Sequence, residues 1–150
     1  MNIYIASPLG NENVDIKEKR GNLSKAIEFL RSKGYDVYVP IEHPLEHAWD
    51  WPNDEWGLQV FRNDINAITE CDFMVVLNYG RLETSGGTIF EQGFAYGIGK
   101  KVLLVEMTDN VQSLMVANGR YATVKGLEGL KKYDFDSDNP PRSRVDTEQK

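Results

Sequence analysis

The chain is poor in everything that would make it a secreted, membrane-spanning or polymer-binding protein. It has a single cysteine, Cys71. One thiol cannot form an intramolecular disulfide, and just ahead of an apolar run it reads as a small core residue, so a reducing cytoplasm is expected. No apolar run approaches the roughly 20 residues that cross a bilayer, and no basic segment precedes Ile3; neither a leader nor a membrane anchor is expected. Basic residues are outnumbered: 17 Lys and Arg against 23 Asp and Glu give a net charge of −6. That balance excludes a nucleic-acid polymer as the expected partner, because phosphate backbones are held by clustered cations.

Histidine is equally scarce. His43 and His47 stand four apart in a proline-containing stretch, but no cysteine or acidic residue completes a metal-ligand pattern, so neither metal nor cofactor is expected. The glycines do not compose a nucleotide-phosphate motif either. Gly86-Gly87 fits neither the dinucleotide fingerprint nor the Gly-Lys-Ser/Thr loop, although its amides, with Ser85 or Thr88, would suit a single anion.

What is present is one domain's worth of alternating strand and helix patterns in 150 residues, 41% of them hydrophobic. Strand patterns are read at Ile3–Ala6, Asp36–Pro40, Phe73–Leu77, Val102–Val105 and Tyr121–Val124. Helical spacing is read over Ile16–Lys33, Leu58–Glu70, the segment from Gly87 to Lys100, Gln112–Asn118 and Leu127–Lys132. The alternation predicts an α/β fold, a five-stranded parallel sheet with helices on both faces. Ile41–Gly57 has neither period and holds Trp49, Trp51 and Trp56; a loop of that length reads as a lid over a site. Arg142–Lys150 reads as a polar tail after a domain over 1–141.

Glu91 is the most informative residue. It lies about a turn into a glycine-flanked, otherwise apolar helix that leaves the carboxyl end of a buried-looking strand, the place where open α/β sheets form their ligand crevice. It either acts there or merely serves the helix dipole. The ends of the other strands bring Tyr4, Ser7 and His43 to the same edge. Asp64, on the Leu58–Glu70 helix, either reaches this cleft or is a solvated helix residue. Two carboxylates in an aromatic-lined pocket suit chemistry at an acetal carbon, one attacking and one managing protons. Tyr96, Met115 and Val116 suit either a contact with a second copy or the core, the commoner place for apolar residues.

Four segments, Ile3-Tyr4-Ile5-Ala6-Ser7-Pro8, Arg62-Asn63-Asp64-Ile65, Gly87-Thr88-Ile89-Phe90-Glu91-Gln92-Gly93-Phe94-Ala95 and Ser113-Leu114-Met115, in this order resemble the nucleoside 2-deoxyribosyltransferase family. The resemblance implies a flavodoxin-like fold. It also implies cleavage of the N-glycosidic bond of 2'-deoxynucleosides through a deoxyribosyl–Glu91 intermediate, with transfer of the sugar to another base. Tyr4 would position Glu91, and Asp64 would hold the base and help protonate its nitrogen. Ser7, Gly87 and His43 join the substrate site. Serines at 85 and 113, where transferases carry aspartate and asparagine, resemble the related 2'-deoxynucleoside 5'-monophosphate N-hydrolases, whose hydroxyls bind phosphate; these release free base and deoxyribose 5-phosphate. Ser7-Pro8-Leu9-Gly10 resembles the transferase opening instead. The segment holding Ser113 would serve a neighbouring subunit's site, implying a homodimer or larger homo-oligomer. A non-catalytic nucleotide sensor on the same fold is the reading from another class.

Overall fold

The computed structural model describes residues 1–9, 16–45, 50 and 52–137. Gly10, His47, Trp49, Trp51 and the tail expected over 142–150 lie outside the described residues. Within them the chain runs β1 (Asn2–Ala6), α1 (Ile16–Ser32), β2 (Asp36–Tyr38), a 3-10 turn (Pro40–Glu42), α2 (Asn53–Glu70), β3 (Phe73–Asn78), α3 (Gly86–Gly97), β4 (Lys101–Glu106), α4 (Leu114–Asn118), β5 (Ala122–Lys125) and α5 (Gly126–Lys132).

The five strands form one sheet in the order β2-β1-β3-β4-β5. Every pairing is parallel. This is the flavodoxin-like order, with its switch point between β1 and β3. β3 is buried at all six positions, as a central strand covered on both faces must be, and its sequence is accordingly a continuous apolar run rather than an alternation.

Alternate residues of the strands feed two cores. Ile3, Ile5, Val75, Leu77, Leu103 and Val105 pack with Leu23, Leu30 and Leu130 of α1 and α5. Tyr4, Ala6, Met74, Val76 and Leu104 pack on the opposite face with Ile68 of α2 and Ala95 of α3. Tyr4 therefore faces the two helices that carry Asp64 and Glu91. No described helix is long and apolar enough to cross a membrane.

Three expectations are corrected. α2 begins at Asn53, not Leu58, so Trp56 stands in a helix rather than a lid loop; the period was hidden because Trp56 and Leu58 are 42% and 47% exposed. β2 stops at Tyr38, and Pro40 opens a 3-10 turn in place of a strand end, since proline has no N–H for a ladder. Finally, the core, the commoner of the two places weighed for Tyr96, Met115 and Val116, holds for Val116 alone; Tyr96 and Met115 are exposed.

Candidate active site

The carboxyl ends of β1 and β3 diverge towards different helices, and the crevice between them receives side chains from β1, β2, α2 and α3. Its centre is a hydrogen bond from Tyr4 to Glu91, Oη to Oε2, 3.1 Å long. Tyr4 is wholly buried. Burial, then the Glu91 charge, raises its phenol far above the ordinary range, so the hydroxyl keeps its proton and donates.

Burial likewise pushes Glu91 up to about 7. The Tyr4 hydrogen bond opposes that rise and the Asp64 charge adds to it. Glu91 is the sixth residue of α3, beyond the first turn in which the helix dipole acts appreciably. Serving the dipole does not account for its position; the contact with Tyr4 does. A carboxylate titrating near neutrality is poised between attacking as an anion and waiting as an acid.

Asp64, half-buried on α2, is also raised, first by burial, while the His43 charge pulls it down. Its own charge reaches Tyr4, Glu91 and Tyr38. The solvated-helix reading of Asp64 thus gives way to a second carboxyl within the field of the first. The Asp64 charge discourages ionisation of Glu91, while burial keeps Asp64 itself above the ordinary carboxylate range.

Three rings form a column beside them. Tyr4 stacks on Tyr38 at 5.6 Å between centroids, and Tyr38 on His43 at 4.3 Å with only 2° between planes. The register of the sheet explains the first pair, because Tyr4 and Tyr38 are direct partners in β1 and β2. The 3-10 turn folds His43 back over Tyr38. Tyr38 was not picked out from the sequence; the signal was an aromatic at the carboxyl end of the strand neighbouring Tyr4.

On its other side Glu91 lines a cavity of about 290 Å³ together with Ile5, Ser7, Leu23, Val39, Ser85 and Thr88, among others. Gly87 lines it as well. No lysine or arginine stands among its described lining residues. The Ser7 Oγ is buried and has no hydrogen-bond partner among the described residues, so one polar atom of the lining is unsatisfied.

Ser85 sits at the cavity edge but is engaged. It caps α3, accepting from the Thr88 N–H at 3.3 Å, and its hydroxyl lies 3.0 Å from that of Thr88. Ser113 caps α4 in the same way, accepting from Val116 N–H at 3.3 Å, and does not line this cavity. The structure thus brings together Tyr4, Glu91, Asp64, Ser7, Ser85 and Gly87, places His43 two rings from Tyr4, and leaves Ser113 apart on α4.

Known proteins share this fold. Residues 3–136 match the family model described as Nucleoside 2-deoxyribosyltransferase. No curated protein matches the sequence. Among solved structures, the chain is similar to a 2-deoxyribosyltransferase from the psychrotolerant bacterium Bacillus psychrosaccharolyticus, with 31% identity, a TM-score of 0.78, and coverage of 90% of this chain and 93% of that one. A CMP N-glycosidase from Clostridium botulinum shares the fold at 19% identity and a TM-score of 0.59, over 83% of this chain and 88% of that one. So does a conserved protein from Enterococcus faecalis, at 17% identity and 0.54, over 86% and 83%.

Proposed function

The chain belongs to the nucleoside 2-deoxyribosyltransferase family, and from that premise we propose that it transfers 2-deoxyribose between bases, with Glu91 as the nucleophile. The observation that carries the reading is the buried Tyr4 hydroxyl held on Glu91 Oε2. A phenol that cannot ionise fixes one carboxylate oxygen and leaves the other free to attack.

In the first half-reaction a Glu91 oxygen bonds to C1' as the C1'–N bond breaks, and the departing nitrogen keeps the bonding pair and takes a proton. Asp64, whose carboxyl is raised by burial, supplies that proton and orients the base. The product is a deoxyribosyl ester of Glu91. In the second half-reaction a nitrogen of another base attacks C1', Glu91 leaves as carboxylate, and the acceptor's proton returns to Asp64. Two displacements retain the configuration at C1'. No metal or cofactor enters this balance.

The apolar side chains of Leu23 and Val39, with the unsatisfied Ser7 Oγ beside them, suit a deoxyribose, and the His43 end of the ring column suits a base. A free nucleoside is preferred to a monophosphate because the described lining holds no cation to balance a phosphate, and the Ser85 hydroxyl is taken up by its cap. The monophosphate hydrolase is the second reading, favoured by one feature: Ser85 and Gly87 stand at the cavity edge at the N-terminus of α3, where an anion is stabilised.

We also read the chain as a cytoplasmic homodimer or larger homo-oligomer with shared active sites. Exposed Phe90, Tyr96, Leu114 and Met115 on α3 and α4 support contact with a second copy that would bring Ser113 into play.

The deciding assay is chromatographic, with each deoxynucleoside and each deoxynucleoside 5'-monophosphate, with and without a second free base. New nucleoside formed only when acceptor base is present is expected. Base and deoxyribose 5-phosphate released from monophosphates alone would establish the hydrolase. No turnover of any substrate, with binding retained, would leave a nucleotide sensor.

A further inference from the structure

α1 carries one residue that its amphipathic pattern does not account for. Lys19 is only 2% exposed, although a lysine at a helical position ordinarily keeps its amine in water. Its Nζ donates to the Glu83 carbonyl at 3.0 Å and lies 4.7 Å from the centre of the Tyr79 ring. One turn further along α1, Asn22 Nδ2 donates to the Tyr79 hydroxyl at 3.3 Å. Both contacts grip the same segment, the turn from Asn78 to Ser85 that joins β3 to α3.

That turn is tightly knit. Asn78 Oδ1 accepts from Gly80 N–H at 2.8 Å and from the Thr84 hydroxyl at 3.2 Å. Gly80 has φ +99°, and a Cβ there would stand 2.5 Å from that of Asn110, so only glycine fits. Thr108 and Asn110 donate to the Tyr79 carbonyl. The turn ends at the Ser85 cap, and six residues later comes Glu91.

We propose that Lys19 is a positioning residue for the nucleophile: by tying Glu83 and Tyr79 to α1, it fixes the turn that launches α3 and so holds Glu91 at hydrogen-bond distance from Tyr4. This deepens the reading of Glu91 as nucleophile and rests on it. Lys19 itself does not reach the reacting atoms. It does not line the cavity, and it is not among the groups that move Glu91, which are Tyr4 from β1, through its hydrogen bond, and Asp64 from α2, through its charge. The effect is geometric, and displacement of a reacting group by about 1 Å costs on the order of 100-fold in rate. Burial lowers the amine's pKa, with the Glu83 charge opposing that shift, which is the cost of using a lysine where an apolar residue would pack.

The test compares wild type, Lys19→Met and Lys19→Arg. Methionine keeps the stem and removes the donor; arginine keeps a cation that can reach a carbonyl. Lys19→Met is expected to lose at least about tenfold in kcat for base exchange with KM for the nucleoside within about twofold, and Lys19→Arg to recover most of it. NMR titration of the Glu91 carboxyl is the second readout. Loss of the Tyr4 contact removes what holds Glu91 down, so its midpoint should move above that of wild type in Lys19→Met. Unchanged kcat per folded molecule together with an unchanged midpoint would overturn the proposal and leave Lys19 a stabilising strut only. If wild type itself exchanges no base, the catalytic reading fails, while the two titrations still decide whether Lys19 positions Glu91. Should Lys19→Met not fold, Asn22→Ala loosens the same turn more gently and should move both readouts in the same direction.

Discussion

Replacing Glu91 by glutamine is expected to stabilise the protein at alkaline pH and to leave its stability nearly unchanged in acid. Burial raises Glu91 from an ordinary value near 4.5 to about 7. Between those values the folded chain holds a proton that the unfolded chain has released. Stability therefore falls as pH rises through this window, and the loss is complete above about 7. At about 1.36 kcal/mol per pH unit the window corresponds to roughly 3 kcal/mol, an upper bound for a side chain that is not fully enclosed. Glutamine keeps the shape, still accepts from Tyr4 and cannot ionise. Urea denaturation at pH 4.5 and pH 8, at one protein concentration, should give Glu91→Gln no advantage at the lower pH and up to about 3 kcal/mol at the higher. Equal differences at both pH values would refute the claim that an unfavourable ionisation is stored at this site. A stabilised but inactive variant is also the signature of a residue retained for its chemistry.

Other outcomes follow from the same geometry. Tyr4→Phe removes the hydrogen bond that restrains Glu91, so the acid limb of kcat/KM should move upward and the rate should fall by at least about tenfold, measured as a pH–rate profile. Ser85→Asp keeps an N-cap of equal quality, so stability should change by less than about 1 kcal/mol; if a 5'-phosphate lies there, monophosphate use should fall far more than free-nucleoside use. Gln92 donates to the carbonyls of Val116 and Gly119 at 2.8 and 2.9 Å, tying α3 to the segment that follows Ser113. Gln92→Leu strands both acceptors and should cost about 2–3 kcal/mol in denaturant unfolding.

The parts legible in the sequence were those where one physical demand dominates. β3 had to be apolar on both faces, and Phe73–Leu77 read as a strand at once, one residue short of its observed end at Asn78. The glycine-flanked helix after it announced the crevice, and Glu91 and Tyr4 were found 87 positions apart yet hydrogen-bonded. What escaped depended on tertiary contacts. The first turns of α2 were missed because they present Trp56 and Leu58 outward, which erases the apolar period. The Tyr38–His43 stack was invisible because the 3-10 turn between them reverses the chain without a glycine. Lys19 carries no signal of its role in the sequence, since nothing in its own helix announces a carbonyl at Glu83. For Tyr96 and Met115 the commoner outcome for an apolar helix residue, the core, is not the observed one, since 55% and 84% of their surfaces lie open.

The most direct test is capture of the sugar on the protein. The purified chain is incubated with a 2'-deoxynucleoside and no acceptor base, quenched in acid, digested and mapped by mass spectrometry. A deoxyribosyl ester on the peptide containing Glu91, lost when a second base is added before quenching and absent from Glu91→Gln, is the expected result. Base exchange that proceeds at the wild-type rate in Glu91→Gln, or a sugar adduct on any other residue, would contradict the assignment of Glu91 as the nucleophile.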